Sequence, residues 1–205
     1  GLYLYLKKFC PDAAIEVFLE QPAEVFSCIK GMEEIHTDFK TEIPCFDVFF
    51  ALDASKDRLG EAEKYFDAAK KKINIDHHIS NPGCGDLNYI KPKASSASEL
   101  VYELIEKKEL LDEEIAKALY IGIIHDTGVF QYSNTAPSTL QAAAQLIQYG
   151  FDFPALIQET FYEKTYVQNQ ILGRALLESI LFMNGQCIVS MVDKKTMNFY
   201  QVVPS

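Results

Sequence analysis

Phe46-Asp-Val-Phe-Phe-Ala-Leu-Asp53 is a nearly continuous apolar run that ends in a carboxylate. Such runs are typical of strands buried on both faces of a parallel sheet. Ile73-Asn-Ile75 is a second strand candidate, and it ends at Asp76 in the same way. Helical patterns lie between and after these strands, over 59–72, 95–108, 112–125 and 137–149. This alternation predicts an α/β fold, with a parallel-sheet core domain and flanking helices.

The pattern divides the chain into three predicted segments. The core domain covers 1–163, a connector helix covers 164–184, and 185–205 begins a second α/β domain. The connector is the helical pattern from Val167 to Met183, and strand character returns after the turn-like Asn184-Gly185. The chain starts within a helical pattern and stops in a β-prone stretch, so we expect further segments at both ends.

Composition excludes several classes of protein. The 205 residues carry a formal net charge of −10, which opposes a large basic surface for duplex DNA but not a small phosphorylated substrate. The five cysteines are irregularly spaced, so neither a zinc ribbon nor a disulfide framework is indicated, and a reducing cytoplasm fits best. No apolar run is long enough for a membrane span, and no signal peptide is visible.

Asp53 and Asp76 each end a predicted strand. In open α/β sheets, ligands bind outside the carboxyl ends of the strands, so the two carboxylates are expected to meet in one crevice. The alternative for either residue is a structural cap of the turn that follows.

Asp76-His77-His78 adds two imidazoles at the same place. Adjacent residues in a strand point to opposite faces, so two neighbouring histidines share a site only if the chain turns there. The continuation Ile79-Ser-Asn-Pro-Gly83 favours such a turn. One ring could then bind a metal ion while the other faces a substrate, and a neighbouring carboxylate could orient a ring. The alternative is a surface pair without function.

Gly122-Ile-Ile-His-Asp-Thr-Gly128 is an apolar helical pattern that runs into Asp126. A carboxylate there is either a metal ligand or a cap of the next turn. His125 is expected to pack or to form a hydrogen bond rather than to bind a metal. Aspartate and histidine together favour Mn²⁺ or a similar divalent ion. Two such ions can clamp a phosphate and activate a water molecule, which makes hydrolysis of a phosphoester the expected reaction.

With these motifs in order, the sequence resembles the DHH phosphoesterase superfamily, and most of all its oligoribonuclease and phosphoadenosine-phosphate phosphatase branch, the nanoRNases. The resemblance covers roughly 1–163. The matching stretches are Ala51-Leu-Asp53, Asn74-Ile-Asp-His-His-Ile-Ser-Asn81, Ser95-Ser-Ala-Ser-Glu-Leu-Val101 and Gly122-Ile-Ile-His-Asp-Thr-Gly-Val-Phe130. Within the third stretch, Ser96 and Glu99 also have the spacing of a capping box at the start of a helix.

The resemblance implies a role for each site residue. Asp53 would bridge two metal ions, and His77 and Asp126 would complete the second metal site. The family's earlier motif, which has one histidine and two aspartates and precedes a helix like 1–9, is not in this sequence. The family's glycine-rich motif with a histidine, in its C-terminal substrate domain, is also not in it. We therefore expect the chain as printed to hold at most one well-ordered divalent ion.

The same resemblance implies catalytic roles for His78, which would contact the scissile phosphate, and for Asp76, which would support the histidines. Asn81 and Ser96, together with His78, would bind the substrate.

The implied enzyme is a hydrolase with two Mn²⁺ ions, for which Mg²⁺ or Co²⁺ could substitute. It would cleave short single-stranded RNA oligonucleotides, adenosine 3′,5′-bisphosphate, or both, by means of a metal-activated water. A phosphodiesterase for cyclic or linear dinucleotides and a non-catalytic nucleotide-binding module are the alternatives. We expect a cytoplasmic protein that binds neither duplex DNA nor a membrane, and a homodimer is an open option.

Overall fold

A computed structural model describes residues 1–202, which fall into two compact units, Gly1–Phe161 and a second unit that begins at Tyr162. The helices of the first unit are α1 (Leu2–Phe9), α2 (Glu63–Ala68), α3 (Ala97–Leu104), α4 (Glu113–Asp126), α5 (Pro137–Leu146) and α6 (Phe153–Ile157). Its strands are β1 (Val17–Phe18), β2 (Ile35–His36), β3 (Val48–Leu52), β4 (Lys71–Asp76) and β5 (Leu87–Ile90). The boundaries of the three predicted segments stay predictions. No helix within residues 1–202 has the length and apolar character that a membrane crossing requires.

A parallel sheet in the order β3-β4-β5 forms the centre of the first unit. In its register, Ala51 of β3 lies opposite Asn74 of β4, and Asn74 lies opposite Asn88 of β5. Helix α2 packs against β3, and helix α3 packs against β4. The predicted α/β fold with a parallel sheet and flanking helices is therefore confirmed. The short parallel pair β1-β2 forms a separate two-stranded sheet.

Strand β3 is less buried than its apolar sequence predicts. Val48 and Leu52 are 43% and 39% exposed, whereas Ala51 is 1% exposed. Within residues 1–202, β3 has a ladder partner on one side only, because it is an edge strand of the three-stranded sheet. The expectation of a strand buried on both faces is therefore wrong for β3.

Two predicted helices are shorter than their patterns. The pattern over 59–72 gives only α2 and short 3₁₀ turns, because Lys71 and Lys72 pair with β3 and begin β4. In the second unit, α7 (Tyr166–Leu177) ends before Met183, and β6 (Ile180–Phe182) pairs antiparallel with β7 (Cys187–Val189). Asn184 and Gly185 have positive φ in the connection, as in tight hairpins, and α8 (Lys194–Tyr200) follows.

Helix α4 lies at the centre of the hydrophobic core of the first unit. The carboxylate of Asp112 caps its first turn by accepting the backbone N–H of Ile115 at 2.9 Å. Residues on several faces of the helix are buried because α1, α3, α5 and α6 all pack around it. Each fully buried isoleucine or leucine contributes about 1.5–3 kcal/mol to folding. At Gly122 a β-carbon would collide with Ser98, so this glycine allows α3 and α4 to approach closely.

The start of α3 is held by a buried carboxylate. The hydroxyl oxygen of Ser96 accepts the backbone N–H of Glu99 at 3.0 Å, as the capping-box pattern predicts. The other half of the pattern differs, because Oε2 of Glu99 accepts the N–H (3.0 Å) and hydroxyl (2.5 Å) of Ser95. Oε2 also accepts the hydroxyl of Thr139 at 2.8 Å, which joins α3 to α5. Burial alone would raise the pKa of Glu99, but the hydrogen bonds from Ser95 and Thr139 lower it below the ordinary value of 4.5.

We expect Glu99→Gln to lower the free energy of unfolding by about 1–3 kcal/mol at neutral pH, since the charged acceptor of three hydrogen bonds is lost. A depressed carboxyl pKa stabilises the fold above the unfolded-state pKa, and this stabilisation disappears as the pH falls through the folded-state pKa. Urea unfolding at about pH 7 and about pH 3 measures both effects. Glu103→Gln on the same helix is the control, because Glu103 forms an exposed pair with Lys91. If Glu99→Gln lowered the free energy of unfolding by the same amount at both pH values, this interpretation would be contradicted.

Candidate metal centre

Asp53 and Asp76 lie at the same edge of the sheet. Asp53 directly follows β3, Asp76 is the last residue of β4, and the two strands are parallel neighbours. The backbone N–H of Asp53 donates to the carbonyl of Ile75 at 3.0 Å, which extends the ladder by one residue. Asp53 then adopts the left-handed conformation, with φ of +56°. This conformation is uncommon for any residue other than glycine and turns the chain away from the sheet.

The carboxylate of Asp76 is buried, with 1% of the residue exposed. Its Oδ1 accepts the backbone N–H groups of His77 at 2.6 Å and of His78 at 3.0 Å. Its Oδ2 accepts Nδ2–H of Asn81 at 2.5 Å. Burial alone would raise the pKa of Asp76, but the hydrogen bonds from Asn81 and His78 outweigh it and lower the pKa below its ordinary value. The group is therefore a buried anion that ends the strand in a tight turn.

His77 faces two carboxylates with one nitrogen. Its Nδ1 lies 3.3 Å from the carbonyl oxygen of Ala94, so a proton on Nδ1 is donated to the backbone. Its Nε2 lies 3.3 Å from Oδ1 of Asp53 and 3.6 Å from Oδ2 of Asp126. The hydrogen bond with Asp53 raises the pKa of His77, burial opposes the rise, and the charge of Asp126 adds to it. A proton and a divalent cation therefore compete for the same nitrogen.

His78 lies on the same side of the turn but has a different partner. The two imidazole rings are 4.6 Å apart between centroids. Nδ1 of His78 is 2.7 Å from Oδ1 of Asp76 and 3.5 Å from Oδ1 of Asp53. Because Asp76 engages Nδ1, Nε2 is the ring nitrogen of His78 that is left for another ligand.

Asp126 reaches the site from the end of α4. A left-handed turn follows it, in which Gly128, Val129 and Phe130 have φ of 54°, 54° and 66°. Burial raises the pKa of Asp126, and the nearby carboxylate of Asp53 raises it further. Such a carboxylate is stabilised by any cation placed between the two groups.

The predicted convergence of Asp53, His77 and Asp126 is confirmed, whereas their roles as metal ligands stay predictions. Ligand atoms around one ion at about 2.1 Å lie roughly 3 Å apart, and the distances from Nε2 of His77 are close to this. One potential ligand atom from each of Asp53, Asp76, His77 and His78 lies within 4.8 Å of the others. Within residues 1–202, no lysine or arginine forms an ion pair with Asp53, Asp76 or Asp126. The donor set therefore fits a hard divalent cation.

Two predicted substrate-binding residues have internal partners. Asn81 is 7% exposed, and its amide bonds to Asp76, Asn74, Ala54 and Gly83. Ser96 is fully buried, and its hydroxyl caps α3. Their roles in substrate binding, like the catalytic roles of His78 and Asp76, stay predictions.

His125 packs as expected. Its ring lies 5.0 Å from that of Phe26 and 5.5 Å from that of Phe161 between centroids. Its Nε2 is 3.3 Å from the hydroxyl of Thr160.

Asn134 is a site residue that sequence reasoning missed. Its Nδ2–H group donates to the backbone carbonyls of Ser95 and Asp126, each at 3.0 Å. It therefore joins the end of α4 to the segment whose Ala94 carbonyl orients His77. No periodic pattern marks such a residue, because the two carbonyls that it connects are far apart in the sequence.

Comparison with known proteins decides the family. The model of the DHH family, N-terminal domain, matches residues 1–123. The chain belongs to the DHH family. The probable bifunctional oligoribonuclease and PAP phosphatase of Streptococcus mutans is 43% identical over 88 residues, which cover 42% of this chain and 28% of that protein. The corresponding enzyme of Bacillus subtilis is 36% identical over 118 residues, which cover 56% of this chain and 37% of that protein. The chain thus matches only about a third of the length of these curated relatives.

The crystal structure of an exopolyphosphatase-related protein from Bacteroides fragilis has the same fold. It superimposes with a TM-score of 0.87 over 98% of this chain and 63% of its own, at 21% sequence identity. At that identity the likeness concerns the fold alone.

We expect His77→Ala to weaken Mn²⁺ binding at least tenfold, equivalent to about 1.4 kcal/mol. We expect His78→Ala to weaken it by less than about threefold. Nε2 of His77 lies near both Asp53 and Asp126, whereas His78 contacts Asp53 and Asp76 through Nδ1. Titration of Mn²⁺ with detection by electron paramagnetic resonance compares the two variants with the wild type. Equal losses of affinity would mean that the two histidines share the cation and that their assignments are wrong.

Proposed function

We propose that this protein is a Mn²⁺-dependent phosphoesterase that hydrolyses short RNA oligonucleotides and adenosine 3′,5′-bisphosphate. The observation that carries the proposal is the convergence of Asp53, His77 and Asp126 at the carboxyl edge of the sheet. A phosphate approaching this edge meets carboxylates that have no lysine or arginine ion pair within residues 1–202. Binding of an anionic substrate therefore requires a cation.

Each residue has a distinct task in this proposal. Asp53, His77 and Asp126 would hold a divalent cation, and Mn²⁺ suits their mixed oxygen and nitrogen donors. When bound, the cation would supply positive charge beside the phosphoryl group and acidify a water molecule.

The other two site residues act on the substrate side. Asp76 engages Nδ1 of His78 and fixes the ring, and in the protonated form of the ring Nε2–H would donate to a phosphate oxygen. A fixed donor of this kind stabilises charge that develops on the phosphate without having to reorganise during the reaction.

The choice of substrate rests on the relatives. The two relatives described above are named for oligoribonuclease and PAP phosphatase activity. The match to the DHH family covers 1–123, which includes Asp53, His77 and His78, and these residues contact one another here. The five cysteines are free thiols, which fits activity in a reducing cytoplasm.

In the full-length enzyme, we expect Asp53→Ala to reduce turnover of both substrates at least tenfold, equivalent to a barrier increase of about 1.4 kcal/mol or more, without loss of folding. The reason is that Asp53 contacts both histidines and lies near Asp126. The measurement is release of mononucleotides from a short RNA, and of phosphate from adenosine 3′,5′-bisphosphate, at saturating Mn²⁺. Circular dichroism checks the fold.

Asp47→Ala is the matched control for that experiment. Asp47 lies beside the amino end of the same strand, where it forms an exposed pair with Lys70. Its loss should leave turnover unchanged. A wild-type protein that binds Mn²⁺ but hydrolyses neither substrate would refute the proposed activity, and an Asp53→Ala variant with more than a tenth of wild-type turnover would refute the role of Asp53.

A further inference from the structure

The backbone at Asp53 needs support. Its φ of +56° places it in the left-handed region, which is unfavourable for a residue with a β-carbon. Strained conformations persist only where the surrounding structure holds them. If Asp53 relaxed to an extended conformation, its carboxylate would leave the position 3.3 Å from Nε2 of His77.

The side chain of Asn74 brackets this strained residue. Its Nδ2–H group donates to the carbonyl of Ala51 at 3.1 Å and to the carbonyl of Ala54 at 3.0 Å. The first carbonyl lies two residues before Asp53, and the second lies one residue after it. Asn74 is fully buried in β4, directly opposite Ala51 of β3, so water cannot replace its amide. One side chain therefore fixes the backbone on both sides of Asp53.

Asn81 holds the amide of Asn74 in place. Its Nδ2–H group donates to Oδ1 of Asn74 at 3.0 Å, to Oδ2 of Asp76 at 2.5 Å and to the carbonyl of Ala54 at 3.3 Å. The two hydrogens are shared among three acceptors. Its Oδ1 accepts the backbone N–H of Gly83 at 2.8 Å, which sets the orientation of the amide. The two asparagines thus connect the turn after β3 with the turn after β4.

We infer that Asn74 is a positioning residue of the cation site, and that its amide holds Asp53 in the left-handed conformation that brings its carboxylate to His77. The inference rests on the proposed function, since that function gives Asp53 its part in binding the cation. Asn74 itself is not expected to touch the cation or the substrate. In metal sites, loss of a group that supports a ligand typically lowers metal affinity or activity by about 10–100-fold.

The experiment compares Asn74→Ala and the milder Asn74→Ser with Asn88→Ala. Asn88 is a suitable control because it lies opposite Asn74 in the register of β5, but within residues 1–202 its exposed side chain bonds only to the backbone of Gly85. The readouts are Mn²⁺ affinity by electron paramagnetic resonance, kcat and KM at saturating Mn²⁺, and thermal unfolding. All affinities are measured well below the melting temperature of each variant.

We expect Asn74→Ala to bind Mn²⁺ about 10–100-fold more weakly than the wild type, with a smaller loss in Asn74→Ser and none in Asn88→Ala. A crystal structure of Asn74→Ala should show that Asp53 has left positive φ. Wild-type affinity in a folded Asn74→Ala variant would overturn the inference. Failure of both Asn74 variants to fold would also overturn it, in favour of a purely structural role.

The affinity readout separates this inference from the proposed activity. A wild-type protein that binds Mn²⁺ but hydrolyses neither substrate would refute the activity, while the effect of Asn74 on Mn²⁺ affinity would still be measured. A wild-type protein that does not bind Mn²⁺ would refute both.

Discussion

Burying the carboxylate of Asp76 obliges the chain around it to supply hydrogen bonds, because an unpaired buried charge costs several kcal/mol. The donors come from the residues that follow immediately, namely the backbone N–H groups of His77 and His78 and the amide of Asn81. The backbone can offer these donors to one carboxylate only if it turns sharply at the end of β4. The requirement to satisfy this charge therefore shapes the loop that carries both histidines.

The turn also explains how two adjacent histidines reach one site. In a continuing strand their rings would point to opposite faces of the sheet. Here their ring centroids are 4.6 Å apart, and both rings lie near Oδ1 of Asp53. Their second partners differ, since Nδ1 of His77 bonds to a backbone carbonyl and Nδ1 of His78 bonds to Asp76. The different partners leave Nε2 of each ring in a different environment, which is the basis for assigning them different tasks.

The order of apolar runs predicted the parallel sheet because hydrophobic burial dominates those segments. It also predicted that carboxylates at neighbouring strand ends would meet, since parallel strands end at a common edge. The sequence pattern gave wrong secondary structure where strand pairing in the tertiary structure decides it. Lys71 and Lys72 belong to a strand instead of a helix, and strands β5 and β6 were not predicted. The exposure of β3 was also missed, since a sequence does not show which strand lies at an edge.

Polar residues inside the fold were the hardest to interpret. Asn74 lies between apolar residues of a strand, and asparagine is depleted in strands. Its position is therefore a sign of a special role that a search for apolar runs alone overlooks. Asn134 gave no comparable signal, because its partners Ser95 and Asp126 are brought together only by the packing of α3 and α4. Contacts of this kind depend on the tertiary structure, so spacing along the chain cannot reveal them.

The supports of the site share one chemical property: Asn74, Asn81 and Asn134 are all neutral amides. A lysine or arginine in any of these places could also donate hydrogen bonds, but it would neutralise the carboxylates and compete with a cation for them. Amides fix the geometry and leave the negative charge of Asp53 and Asp126 in place. Burial raises the pKa of Asp126, and the negative charge of Asp53 raises it further. A divalent cation bound at a site that neutral groups hold in place and leave anionic would lower the free energy of that site, and the resulting complex would attract a phosphate.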